Sequence, residues 1–146
     1  MNLLGLDIGE RRIGVAVSRG SNIIASPLQT LVYDDQEEVL SRIADIVSDQ
    51  RIETVVYGVP VDHQGQGAQE AKVLAFVEKL RQRCSAEFAG VDESFTTRLA
   101  SKTMSEMRVK RAKRKELVDQ LAAALILQNY IDSRTAGRTN KNIGGQ

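Results

Sequence analysis

The stretch Leu3–Val17, LLGLDIGERRIGVAV, constrains this chain more than any other. Two short apolar runs flank the turn Gly9-Glu10-Arg11-Arg12, a pattern that predicts a β-hairpin. Side chains alternate faces along a strand, so Leu4, Leu6 and Ile8 fall on one side and Leu3, Gly5 and Asp7 on the other. Asp7 therefore points where Gly5 leaves empty space. A carboxylate in so apolar a strand is costly to bury alone, so it must meet water, a hydrogen-bond donor, a cation or a metal. Taken by itself, an Asp-x-Gly also fits an ordinary hydrogen-bonded acid at a strand end. Other acids decide between these readings.

At 146 residues, 42% of them hydrophobic and 27% charged, the chain is expected to form one globular domain with a sizeable core. The longest uninterrupted apolar run, Leu121 to Leu127, is too short to span a bilayer, which predicts a soluble, cytoplasmic protein with no membrane partner. Cys84 has no cysteine partner for a disulfide and no nearby histidine for zinc, and reads as a small buried hydrophobe. Net charge is only +1, but it is unevenly spread: seven acids and two bases lie between Asp34 and Glu53, eight bases and one acid between Arg98 and Lys115. A polyanion feels that distribution and not the total. The same run also fits a solvated face with no partner.

After the hairpin, Asn22 to Ala25 reads as a third short strand with Ser26-Pro27 at its edge, giving three consecutive antiparallel strands. From Asp34-Asp35 the period becomes helical through Val39, Leu40, Ile43, Ala44, Ile46 and Val47. Thr54 to Tyr57 is a β-branched buried strand ended by Gly58-Val59-Pro60, and its place after a helix implies parallel pairing. The loop from Pro60 to Gly67 leads into a second helix with Ala71, Leu74, Val77 and Leu80 at helical spacing. Its glycines suit a phosphate-approach site or plain turns equally. His63 in that loop reads as a solvated residue. Glu87 to Asp92 is the next strand, with Glu93 closing it on the face of Ala89 and Val91, and Thr96 and Thr97 suit the start of a helix.

Glu116 to Ile131 is the most convincing helix, with Leu117, Leu121, Ala124, Leu125 and Gln128 on one side. Asp119 lines up instead with Ala122, Ala123, Ile126 and Tyr130. Those alanines would let the helix approach a sheet closely and carry Asp119 toward Asp7. The domain is drawn as 1–132, and 133–146, rich in Gly, Thr, Asn, Arg and Lys, as a basic tail that is flexible or orders on a partner.

Three acids on separate elements, if brought together, call for a hard cation. Carboxylate oxygens suit Mg²⁺ or Mn²⁺, one ion or two, while the missing Cys and His partners argue against zinc. Such a site binds phosphate oxygens, activates water for in-line attack and neutralises the leaving oxygen; with two ions they stand about 3.5–4 Å apart. The expected products are a 5′-phosphate and a 3′-hydroxyl.

The hairpin Gly5-Leu6-Asp7-Ile8-Gly9 with Arg12-Ile13-Gly14-Val15-Ala16, the Tyr57-Gly58-Val59-Pro60 loop with Gly65, the segment from Asp92-Glu93 to Thr96-Thr97, and Asp119 to Ala123 together resemble the YqgF family. Its members are also described as RuvX-like Holliday junction resolvases or pre-16S rRNA nucleases. The resemblance spans about Asn2 to Ile131 and is specific because four motifs occur in order. It implies an α/β, ribonuclease H-like fold: a mixed five-stranded sheet, its first three strands antiparallel, with helices on both faces. By matching positions it places the family's catalytic and metal-holding acids on Asp7, Glu93 and Asp119, the acids the residues themselves single out. It also implies nuclease maturation of the 5′ end of small-subunit ribosomal RNA, with junction resolution attributed to some members. Two positions depart from the family pattern: Arg19 stands where Asp is usual, and Ser94 where Arg is usual, with Arg98 one helical turn onward.

The leading expectation is a Mg²⁺- or Mn²⁺-dependent endonuclease on RNA, favoured over DNA, in ribosome precursors. Phosphates would be bound by Arg11, Arg12, Arg98, Lys110, Arg111, Lys113, Arg114 and Lys115. The alternatives are a dimeric Holliday junction resolvase, a non-catalytic RNA- or ribosome-binding factor, and an actin-like phosphotransferase, which would need a second lobe to enclose its nucleotide. Monomer and homodimer both remain open.

Overall fold

A computed structural model describes residues 1–21, 24–60, 67–93 and 111–144, with side chains from 115 to 134 in the last segment. The hairpin forms as its alternation requires. Strand β1 (Leu3–Ile8) pairs antiparallel with β2 (Arg12–Ser18), and β2 pairs antiparallel with β3 (Ser26–Val32). Helix α1 (Gln36–Asp49) then crosses over to β4 (Thr54–Val59), which lies parallel to β1. Helix α2 (Ala68–Arg81) leads to β5 (Glu87–Asp92), parallel to β4. The sheet runs β3-β2-β1-β4-β5, and helix α3 (Arg111–Gly144) packs across it. This is the mixed five-stranded architecture, helices on both faces, that the sequence predicts.

The two faces carry separate cores. On one, Leu4, Leu6, Ile13, Val15 and Val55 meet Val39, Leu40 and Ile43 of α1 and Phe76 and Leu80 of α2. On the other, Leu3, Ala16 and Val56 meet Ala123, Ala124, Ile126 and Leu127 of α3. The alternation read from β1 thus assigns Leu4, Leu6 and Ile8 to the first core and Leu3 to the second. Strand β3 also holds α3, through Thr30 Oγ1 donating to the Glu116 carbonyl (2.7 Å), and Ala25 N beside it donates to Gln128 Oε1 (2.9 Å).

Two expectations are corrected. The third strand starts at Ser26, and Ile24 and Ala25 precede it; Asn22 and Ile23 lie outside the described residues. Pro27 sits inside this strand, where its missing N–H is tolerated because β3 is an edge and the register shifts between Val15 and Ala16 opposite it. Helix α2 buries Val73, Phe76, Val77 and Leu80, while Leu74 is exposed. Phe76, the largest apolar side chain of that helix, turns the buried stripe away from the Ala71 and Leu74 line.

Helix α1 begins as read: Asp35 is its N-cap, its carboxylate accepting the Glu37 amide at 3.1 Å. No described helix is long and apolar enough to cross a membrane.

Candidate active site

Asp7 comes from β1 on the α3 side of the sheet, two residues beyond Gly5. Glu93 follows β5, its amide donating to the Val59 carbonyl (3.2 Å), which sets it beside the ends of β4 and β1. Asp119 descends from α3. Glycines make the meeting possible. Gly14 is the cross-strand partner of Asp7, and a Cβ there would land on the main chain of Asp119. A Cβ on Gly58 would stand 2.5 Å from Glu93 Oε2 and 2.6 Å from Ile126 Cδ1. At Gly5 the Ala123 carbonyl and the Leu127 Cβ would each lie 2.8 Å away. Helix α3 therefore rests on the sheet at backbone distance.

Asp7 and Glu93 share a hydrogen bond. Burial is the largest influence on each and raises both: Asp7 moves to about 6 and Glu93 to about 8. The negative charge of Asp7 raises Glu93 further, whereas the hydrogen bond from Glu93 partly lowers Asp7 and Asp119 raises it. Burial and mutual repulsion thus favour one proton shared by the pair near neutrality. Asp119 is also raised by burial, and its neighbour Arg12 opposes that shift. The Arg12 Nε donates to Asp119 Oδ2 at 2.8 Å.

Asp7, Asp119, Arg11 and Arg12 line one open cleft of about 280 Å³, with Gly9 and Glu10 completing its rim. The hairpin turn that forms this rim is pinned from behind. Tyr33 Oη donates to the Gly9 carbonyl (2.6 Å) and Tyr33 N to the Arg11 carbonyl (2.9 Å). A larger cleft of about 740 Å³ lies at the opposite end of the sheet, between Met1, Arg51, Glu53 and Arg83, away from these acids.

Among the described residues no three acid, histidine or cysteine side chains stand as a ready-made metal cage. The donor chemistry nevertheless fits a hard cation. Two carboxylates that tolerate each other only by retaining a proton are all-oxygen ligands, and a divalent ion can take the place of that proton. Asp119 is on the same cleft but is turned to Arg12.

Of the predicted phosphate-binding residues, Arg11 and Arg12 flank the acids, and Lys115 is exposed at the start of α3. Arg111, Lys113 and Arg114 lie in the first turns of α3 by their backbone, while Arg98, Lys110, Ser94, Thr96, Thr97 and His63 lie outside the described residues. Arg19 is exposed, its Nε donating to Gln50 Oε1 at 2.8 Å, in a sheet-end position remote from the cleft lining. Gly14 and Tyr33 escape the sequence reading as site-forming residues. The hairpin register alone pairs Asp7 with Gly14 and would have found the first; nothing local signals the second.

The arrangement has relatives. A family model described as RuvX, Holliday junction resolvase, matches residues 1–133. A protein named "Putative pre-16S rRNA nuclease" from Desulforudis audaxviator is 42% identical over 139 residues, covering 94% of this chain and 99% of its own length. Its namesake from Desulforamulus reducens is 38% identical over 134 residues, covering 91% and 98%. Among solved structures, Thermus thermophilus RuvC in complex with a Holliday junction superposes with a TM-score of 0.61 at 17% identity, over 92% of this chain and 96% of that one. The fowlpox virus resolvase bound to junction DNA gives 0.54 at 13%, over 91% and 98%. These two share the fold, ribonuclease H-like as the family resemblance implies. Matched over nearly its whole length by the family model and by relatives near two-fifths identity, the chain belongs to the RuvX (YqgF) family of nucleases.

Proposed function

We propose that this protein is a divalent-metal-dependent endonuclease that trims the 5′ end of precursor small-subunit rRNA, with Asp7, Glu93 and Asp119 holding Mg²⁺ or Mn²⁺. The observation that carries the reading is the buried Asp7–Glu93 pair, which keeps a proton at neutral pH in a cleft shared by Asp7, Asp119 and two arginines. Such a pair is expensive for a fold to keep unless a cation uses it. The pre-16S names of the relatives support RNA as the substrate.

The bound ion supplies a polarised water and screening of charge on the phosphate. The chain supplies the rest. Asp7, rigid on a central strand, and Glu93, fixed at the end of β5, orient the ion. Arg11 and Arg12 hold the phosphate flanking the cut, and Lys115 with the bases from Lys110 to Arg114 track the backbone beyond it, so binding should weaken steeply with salt. No side-chain base is required. The protein works in the cytoplasm on ribosome precursors.

The test is cleavage of end-labelled precursor rRNA, single-stranded DNA and a four-way junction by wild type and Asp7→Asn, with Mg²⁺, Mn²⁺ or chelator. Metal-dependent cutting of the RNA at its 5′ side, lost in the variant, is expected. A second reading, a junction resolvase, is favoured by the family model and requires a dimer; it takes over when only the junction is cut. Tight RNA binding without any cutting would leave a binding factor.

A further inference from the structure

We infer that Arg12 is an internal counter-ion for Asp119, competing with the divalent cation for that carboxylate and, when displaced, serving the substrate phosphate. The inference rests on the metal-dependent reading above and adds a role for one residue within it.

Arg12 opens β2 directly after the turn, and its neighbour Arg11 is the other cation that lines the cleft among the described residues. Its Nε is committed to Asp119 Oδ2, yet the Arg12 side chain is 41% exposed while that of Asp119 is 17% exposed. One end of the guanidinium is therefore engaged with a half-buried acid and the remainder faces the open cleft. A guanidinium presents its donors in a planar fork, so the nitrogens not used by Asp119 suit a phosphate.

The backbone holds both partners in place. Gly9 N donates to the Arg12 carbonyl (2.9 Å), Tyr33 holds the turn, and the main chain of Asp119 rests on Gly14 two residues along β2. Asp119 has little freedom to retreat, because Thr30 fixes the Glu116 carbonyl one helical turn away. Glu116 adds negative charge from that neighbouring turn of α3, and Asp7 faces Asp119 from the sheet. With three acids converging from two elements, Arg12 is the cation that the described structure pairs with Asp119. A metal ion that takes Asp119 takes over this neutralising role, and the released fork meets the anion that metal and substrate bring.

The test is Mn²⁺ binding to the RNA-free protein, read by electron paramagnetic resonance of free Mn²⁺ and by calorimetry, for wild type, Arg12→Gln and Arg12→Lys. Removing one screened unit charge beside the site should tighten Mn²⁺ about tenfold in Arg12→Gln. Arg12→Lys, which keeps the charge, should stay within about twofold of wild type on the same reasoning. Affinity for an uncleavable RNA fragment, measured with Mn²⁺ present, should fall in Arg12→Gln, with a shallower salt slope. Equal or weaker Mn²⁺ binding in a folded Arg12→Gln protein would overturn the inference and leave the nuclease reading standing. Absence of Mn²⁺ binding in wild type and both variants would overturn both.

Discussion

The two faces of the sheet are built from different materials. Against α1 and α2 the sheet presents Leu4, Leu6, Ile13 and Val15, all fully buried, and the helices answer with Leu40, Ile43, Phe76 and Leu80. Against α3 it presents Gly5, Gly14, Ala16 and Gly58, and the helix answers with Ala122, Ala123 and Ala124. Large branched side chains fill space and hold layers apart. Small ones let backbones touch, which sacrifices apolar burial but puts an acid of the helix over an acid of the strand. The first face supplies stability, and the second trades part of it for a site.

Adding volume to the second face should therefore damage activity first, and removing volume from the first should damage stability first. In Gly14→Val the new side chain displaces the main chain of Asp119. We expect cleavage to fall at least about a hundredfold, the usual penalty for misplacing a catalytic group by an ångström. Overpacking should also cost on the order of 3 kcal/mol. Leu6→Ala should do the reverse: denaturant titration should report a loss of about 2–5 kcal/mol. Cleavage per folded molecule should be unchanged. Equal activity losses in the two variants would erase the distinction between the faces.

How far this distinction can be read from the chain depends on the range of the interactions involved. Period-two alternation in LLGLDI already separates Leu4 and Leu6 from Gly5 and Asp7, and the Ala122-Ala123-Ile126 stripe already marks the side of α3 that meets the sheet. Both signals are local and strong. Strand β3 is misplaced by a few residues because an edge strand with one buried face and a proline has a weak period. On α2, two stripes compete within one helix, and only packing against α1 and the sheet selects the one with Phe76. The Arg12–Asp119 pair joins residues 107 apart in sequence, so no window contains it. Glu93 was legible as a strand-end acid, but its shared proton follows from burial beside Asp7, which only the assembled sheet provides.

That shared proton gives the second face a pH signature. Asp7 and Glu93 both have folded-state values raised above their ordinary ones, so the stability they contribute is full below pH 4 and is lost as pH rises through about 6 and about 8. In chelator, the unfolding free energy of wild type should decline between about pH 4 and pH 8, by on the order of 3 kcal/mol for Asp7 alone. Asp7→Asn should flatten the decline, and added Mn²⁺ should offset it because the ion binds only the folded site. Thermal melts at pH 5, 7 and 8.5 in chelator check this; a wild-type profile that rises over the window would show that the acids are stabilised by their surroundings and not strained by them.

The smallest effect tests the first face with an aspartate of its own. Asp35 caps α1, its carboxylate accepting the Glu37 amide that the helix leaves unpaired. This acid is exposed, meets a backbone donor and lies at the positive end of a helix dipole, so its charge is an asset. Asp35→Ala should cost about 1 kcal/mol of stability, with cleavage per folded molecule unchanged. Asp7→Asn should instead hold or raise metal-free stability at pH 8 while removing cleavage. Two aspartates on opposite sides of one sheet would then shift stability in opposite directions, because one charge is placed to satisfy the fold and the other is kept in spite of it. Matching losses of stability in the two variants would mean that Asp7, like Asp35, serves the fold.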